Sequence, residues 1–169
     1  KLGKNYDEAH AMGLKLIEES GMTFVDSYDK DPVVYAGQGT IAVEILKQVN
    51  GPIHGFCSGI GTGGTITGIG EVLKEKNPDI TIWAVEPEHA AILSGGSIGT
   101  HMQMGIGDGL IPAILNQKIY DDTFIVSDEK AIKTSRDLAR KEGIMCGISS
   151  GTNVAAALEL AKILGKGKT

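Results

Sequence analysis

Residues 53–65 read IHGFCSGIGTGGT, a short apolar run that passes without a break into a glycine-rich loop. Residues 65–76, TITGIGEVLKEK, follow as a helix closed by Asn77-Pro78, and Thr81 to Val85 (TIWAV) form the next strand, ended by Glu86-Pro87. Strand, loop, helix, strand in this order is a βαβ unit, and a βαβ unit implies a parallel sheet. Working outward, the same alternation recurs. Downstream, Thr123 to Val126 reads as a strand, and Ser127 caps a helix that runs to Glu142 with Gly143 as its stop. Ile144 to Ile148 is a short extended piece, Ser149-Ser150-Gly151 a turn, and Thr152 to Leu164 a last helix. Upstream, Asp7 to Ser20 is an amphipathic helix with Asn5 as N-cap, Gly21 as stop and Ala9, Met12, Leu16 and Ile17 as its apolar face. Thr23-Phe24-Val25 reads as a strand, Asp29 to Pro32 as a turn, and Thr40 to Val49 as a helix ending near Gly51-Pro52. The fold class is therefore α/β. Residues 88–118 stay irregular apart from a helical turn near Ala90 to Leu93, and a span of that length is usually a functional loop.

Composition narrows the function classes. The 169 residues carry a net charge of -5, 41% hydrophobic and 22% charged residues, as an ordinary globular chain does. An acidic balance speaks against broad nucleic-acid binding, and no apolar run approaches membrane-spanning length. Cys57 and Cys146 lie far apart with no CxxC, and no histidine pair has ligand spacing, so neither a disulfide framework nor a metal site is expected. Both cysteines and Trp83 read as core residues, and His10, His54, His89 and His101 as surface, strand-start or loop residues. What stands out is 24 glycines, about 14% against the ~7% of average proteins.

The loop from Gly59 to Thr65 holds four of those glycines and two hydroxyls in seven residues. Glycines let the backbone turn its N–H groups inward, and a helix start adds positive partial charge; together they suit a phosphate. A P-loop is excluded because Gly64-Thr65 lacks the preceding lysine. Gly59-x-Gly61-x-x-Gly64 formally meets the dinucleotide fingerprint, with Glu86 at the end of the next strand as a ribose acid. Against that, Thr62, Thr65 and Thr67 supply hydroxyls that suit the three oxygens of a terminal phosphate monoester better than a pyrophosphate. The sequence leaves both open, together with a non-catalytic anion-binding module.

Five motifs in one order carry a resemblance. GTGGTITG at Gly61–Gly68, VEP at Val85–Pro87, LSGG at Leu93–Gly96, GIGDGLIP at Gly105–Pro112 and GISSG at Gly147–Gly151 resemble the fold-type II pyridoxal-phosphate enzymes, within them the cysteine synthase and cystathionine β-synthase group. The motifs span most of the chain after Pro52. Ala36-Gly37-Gln38-Gly39-Thr40 resembles instead a segment of threonine dehydratases and serine racemases. The resemblance implies a three-layer architecture around a mostly parallel sheet, like the tryptophan synthase β subunit. It implies that residues 1–35 are the tail of a small domain and residues 36–169 part of the large cofactor-phosphate domain.

By the same resemblance, Gly61, Thr62, Gly63, Gly64 and Thr65 hold the phosphate of pyridoxal 5'-phosphate. Ser149 hydrogen-bonds the pyridine nitrogen, with Ser150 as the alternative or as an N-cap for the run from Thr152. Gly105, Ile106 and Gly107 form a loop at the active-site cleft, and Asp108 is a solvated turn residue. A serine at the ring nitrogen leaves the ring a weaker electron sink than a carboxylate would, which suits β-elimination followed by nucleophile addition or by hydrolysis to a keto acid. The implied activity is cysteine synthesis from O-acetylserine and sulfide, with threonine or serine dehydration as the alternative and a nucleotide- or S-adenosylmethionine-binding module as a third. The family lysine that binds the cofactor aldehyde, followed by Asp-Arg or Asn-Arg, has no counterpart among the fourteen lysines. The expectation is a carboxyl-terminal portion, incomplete in its sheet and inactive alone, of a cytoplasmic homodimer acting on an amino acid.

Overall fold

The structure is a computed structural model that describes residue 3, residues 6–24, residue 28 and residues 32–169. Three parallel strands lie in the order β1 (Gly55–Gly59), β2 (Thr81–Pro87), β3 (Asp122–Val126). The register runs from Gly55 opposite Thr81 to Gly59 opposite Val85, and from Trp83 opposite Asp122 to Pro87 opposite Val126. As the central strand, β2 is buried from Ile82 to Pro87, the near-continuous apolar run expected of a parallel strand covered on both faces. The strand alternation divides its side chains between two cores. Ile82 and Ala84 join Ile66, Ile69 and Leu73 of α3 (Gly64–Lys76), with Ala42 of α2 (Pro32–Gln48) behind them. Val85 instead joins Val126, Ala131 of α4 (Asp128–Asp137) and Ala155 and Ala156 of α5 (Ile148–Leu164). Helix pair, sheet, helix pair make three layers, so the α/β expectation and its parallel sheet hold.

Several boundaries differ from the sequence expectation. The second helix starts at Pro32 instead of Thr40, with proline at a first helical position where its missing N–H costs nothing. Gly37 and Gly39 are helical, and a Cβ on Gly39 would lie 3.1 Å from the Gly68 carbonyl oxygen of α3. That glycine serves close helix packing. The last helix begins at Ile148 with Gly147 as its N-cap, so Ser149 and Ser150 lie inside its first turn and Ser150 is not the cap. Thr23 and Phe24 are not in a strand, while Asn5, Val25 and Asp29 to Asp31 lie outside the described residues.

The first helix, α1 (Tyr6–Ser20), ends at Gly21 as expected, with φ at +67°. Its apolar face does not reach either core. Met12 and Leu16 are nearly half exposed, and among the residues whose burial is described none of α1 contributes to the two clusters. Ser127 caps α4 by accepting the Lys130 N–H, and the helix continues through a π turn, Leu138–Glu142, to Gly143 at φ +70°. Between β2 and β3 the only regular piece among the described residues is the 3-10 turn Glu88–Ala90.

Candidate functional site

The glycine loop leaves the carboxyl end of β1 and enters α3, at the edge of a parallel sheet where ligands of α/β proteins bind. Gly63 takes φ +86°, and a Cβ there would lie 2.8 Å from the Cβ of Leu115. The first i to i−4 bond of α3 follows, from Thr67 N–H to the Gly63 carbonyl at 3.1 Å. Ahead of it, the N–H groups of Gly61, Thr62, Gly63 and Thr65 meet no acceptor among the described residues. The Thr62 hydroxyl accepts the Gly64 N–H over a long 3.4 Å, and the Thr65 hydroxyl is exposed in the first turn. Unaccepted N–H groups, two threonine hydroxyls and a helix start form a cradle for a phosphate. The residues present fit that group.

The second motif packs directly on the first. A Cβ on Gly61 would stand 2.6 Å from the Gly105 carbonyl oxygen, so only glycine permits this approach. The Gly107 N–H donates to the Ile60 carbonyl at 2.8 Å, and the Ile60 N–H donates to the Val85 carbonyl of β2 at 3.1 Å. Ile106 is buried against Gly59. Gly105 and Gly107 take φ of +90° and +71°, open only to glycine at low cost. The structure thus joins Gly61 to Gly64 with Gly105 to Gly107 at one sheet edge.

The amino end of α5 reaches the same edge. Asn153 Oδ1 accepts the Gly59 N–H at 2.7 Å, where β1 turns into the glycine loop. Ser149 lies one turn ahead of Asn153 on the same helix face, half-buried, and its hydroxyl has no partner among the described residues. Sequence reading passed over Asn153, although its spacing of four from Ser149 is a visible signal. It also treated Asp108 as a solvated turn. Asp108 is exposed, yet its Oδ2 accepts the Tyr28 hydroxyl at 2.7 Å and lies near Gly61.

Glu86, the candidate ribose acid, is buried and already engaged. Its carboxylate accepts Leu93 N–H at 2.7 Å, Ser94 N–H at 3.0 Å and the Ser94 hydroxyl at 2.7 Å, so it holds the LSGG turn against β2. Those three bonds occupy the carboxylate that a ribose would need. Cys57 faces the α5 side of the sheet, its thiol directed at the Asn153 carbonyl, and burial pushes its pKa up to about 11. An uncharged thiol is a core side chain and no nucleophile. Trp83 is buried and stacked on Phe124 with ring centroids 5.0 Å apart. Among the described residues no cluster of three His, Cys, Asp or Glu side chains could hold a metal.

Known proteins carry the same pattern. The family model described as "pyridoxal-phosphate dependent enzyme" matches residues 1–169. A cysteine synthase of Staphylococcus aureus is 44% identical over 156 residues, covering 92% of this chain and 50% of the relative. The crystal structure of a cysteine synthase from Entamoeba histolytica superimposes with a TM-score of 0.85 at 37% identity, over 91% of this chain and 46% of that one. An O-acetylserine dependent cystathionine β-synthase from Helicobacter pylori superimposes with a TM-score of 0.88 at 34% identity, over 96% and 53% of the two chains. The chain spans about half the length of the curated relatives it matches. With its strand–glycine loop–helix cradle and its match over every residue, the chain belongs to the pyridoxal-phosphate dependent enzyme family.

Proposed function

We propose that the protein carries out pyridoxal-phosphate-dependent β-elimination and β-replacement on a serine-type amino acid, forming cysteine from O-acetylserine and sulfide. The observation that carries this reading is the cradle: four N–H groups that meet no acceptor among the described residues at the entry to α3, with a second glycine loop packed on them. In this reading Gly61, Thr62, Gly63, Gly64 and Thr65 bind the phosphate of pyridoxal 5'-phosphate. Ser149 offers its hydroxyl to the pyridine nitrogen, and Gly105, Ile106 and Gly107 bound the substrate side. When bound, the cofactor supplies an electron sink for breaking bonds at the α and β carbons of the amino acid. The chain's own residues orient it: the cradle fixes one end, the Ser149 hydroxyl the other, and a neutral donor there leaves the ring nitrogen without a carboxylate partner.

The name of the cysteine synthase supports sulfide as the nucleophile, and that of the O-acetylserine dependent enzyme supports O-acetylserine as the amino-acid substrate; both align over more than nine-tenths of this chain. Dehydration of threonine or serine is the second reading. Ala36 to Thr40 favours it, and Gln38 lies beside the loop, its Cγ 3.6 Å from where a Cβ on Gly64 would sit. The engagement of Glu86 weighs against a nucleotide module. No lysine of this chain stands before Asp-Arg or Asn-Arg, so in this reading the residue that binds the cofactor aldehyde lies outside residues 1–169 and the chain alone does not turn over substrate. Residues 1–35 and 36–169 are assigned to the small and large domains, with α2 crossing that border. The full enzyme is proposed to be a cytoplasmic homodimer, a reading supported by free Cys57 and Cys146 and by exposed Ile98, Met102, Met104 and Leu110 near the cleft loop.

Product assays on the full enzyme test the reading. Cysteine from O-acetylserine and sulfide supports it, and a keto acid from threonine in its place selects the dehydratase. Failure of pyridoxal phosphate to bind the folded full enzyme excludes both and leaves an anion-binding module.

A further inference from the structure

A chain of hydrogen bonds, buried where it centres on Gln103, runs from α5 to the cleft loop. Thr152, fully buried, donates its hydroxyl to Gln103 Oε1 at 2.7 Å. Gln103 is itself fully buried, and its side-chain amide donates to the Val126 carbonyl and to Asp128 Oδ1, both at 2.9 Å. These three bonds fix the amide orientation, since one oxygen accepts and both protons are spent. Asp128 Oδ2 accepts the Met102 N–H at 2.8 Å, and the Gln103 N–H donates to His101 Nδ1 at 3.2 Å. Because Nδ1 accepts, the imidazole proton resides on Nε2, which stands 3.1 Å from the Gly107 carbonyl.

Gly107 is held on every side. Its N–H bonds the Ile60 carbonyl, its carbonyl faces His101, and a Cβ would lie 2.7 Å from Pro87 Cγ and 2.9 Å from His101 Nε2. We propose that His101, in its Nε2–H form and locked by buried Gln103, is the positioning residue that holds the Gly105–Gly107 loop against the cradle. The proposal rests on the cofactor reading for the loop's role, and it predicts a behaviour that is visible without cofactor.

Three substitutions separate the contacts. His101→Gln keeps a donor where Nε2 stands, His101→Asn keeps only a group where Nδ1 stands, and His101→Phe keeps neither. The measurement is hydrogen exchange at the Gly107 amide in the purified, cofactor-free protein, which requires the bond to Ile60 to open. Losing this one part-buried hydrogen bond is expected to speed that exchange up to about tenfold in His101→Asn and His101→Phe, with His101→Gln near wild type. Nitrogen NMR of the wild type is expected to show the Nε2–H tautomer. Equal Gly107 exchange in His101→Asn and His101→Gln overturns the proposal, and so does an Nδ1–H tautomer. If His101→Phe does not fold, the contrast between the other two decides. A wild type that shows the expected exchange pattern but binds no pyridoxal phosphate removes the cofactor reading and leaves the strut standing.

Discussion

Single glycines carry unequal burdens in the cradle, and the difference is measurable. Gly61 faces the Gly105 carbonyl oxygen at 2.6 Å from a would-be Cβ, whereas a Cβ on Gly64 would meet its neighbours at 3.6 Å or more, an ordinary contact. Gly61→Ala is therefore expected to destabilise the fold by about 1–3 kcal/mol and to weaken pyridoxal-phosphate binding at least tenfold. Gly64→Ala should be neutral, or stabilising by about 0.5 kcal/mol through lower unfolded-state entropy. Urea titration and cofactor fluorescence read the two effects. Cys57 gives a second residue-level outcome. A thiol raised to about 11 from 9.0 stays protonated where an unfolded thiol has begun to ionise, so alkylation near pH 8 should run roughly a hundredfold slower in the folded protein. By linkage the unfolded chain loses this proton first, so the thiol's support for the fold is complete below pH 9 and fades between pH 9 and 11. The inward-turned donors of Gly61 to Thr65 were legible from residue type, because glycines let a backbone present its N–H groups and a helix start leaves them unspent. His101 and Gln103 were not, since a polar residue in an irregular span gives no periodicity from which burial could be read.

Elements follow their sequence signals where the signal is local and depart from it where packing decides. The three strands, α3, and α4 taken together with its π turn fall within one or two residues of expectation, because most are bounded by glycine, proline or a serine cap. The second helix was read eight residues short because Gly37 and Gly39 look like breakers; Gly39 is there to let α2 approach the Gly68 carbonyl. Gly39→Val should force the two helices apart and lower the unfolding midpoint, by about 1–3 kcal/mol in urea. In contrast, α1 had a clear apolar stripe that joins neither of the two cores among the described residues, which periodicity alone does not foretell. The turn after β2 depends on a single buried carboxylate. Glu86→Gln places an amide NH2 against N–H and O–H donors from Leu93 and Ser94, so it is expected to cost about 1–3 kcal/mol. Because that group anchors a turn, the substitution should leave nucleotide affinity unchanged, as a thermal-shift series with NAD checks.

At the scale of the molecule, one three-stranded sheet separates two cores, and every proposed cofactor contact gathers at a single edge of it. The layered fold was readable from alternation, while the path of the 88–121 span was not, because it is written in tertiary hydrogen bonds through Glu86, Gln103, Thr67 and Asn116. Surface charge adds little. Asp137 and Glu159 have carboxyls held below their usual range by hydrogen bonds from Lys133 and Lys162, and both stay partly open to solvent. Their support is present above the ordinary carboxylate range and is lost as the pH falls through their depressed values. Lys133→Ala and Lys162→Ala should therefore leave the melting temperature nearly unchanged near neutral pH, since exposed pairs are screened and weakly coupled. The joint between the two glycine loops behaves otherwise. Val85 to Ile60 and Ile60 to Gly107 are main-chain links, indifferent to which side chains flank them. In a library covering every substitution, positions 60 and 106 should therefore accept a range of apolar residues, while positions 61 and 107 accept almost none. A lineage can drift in letters at this seam yet has no freedom to lengthen either loop without altering the other.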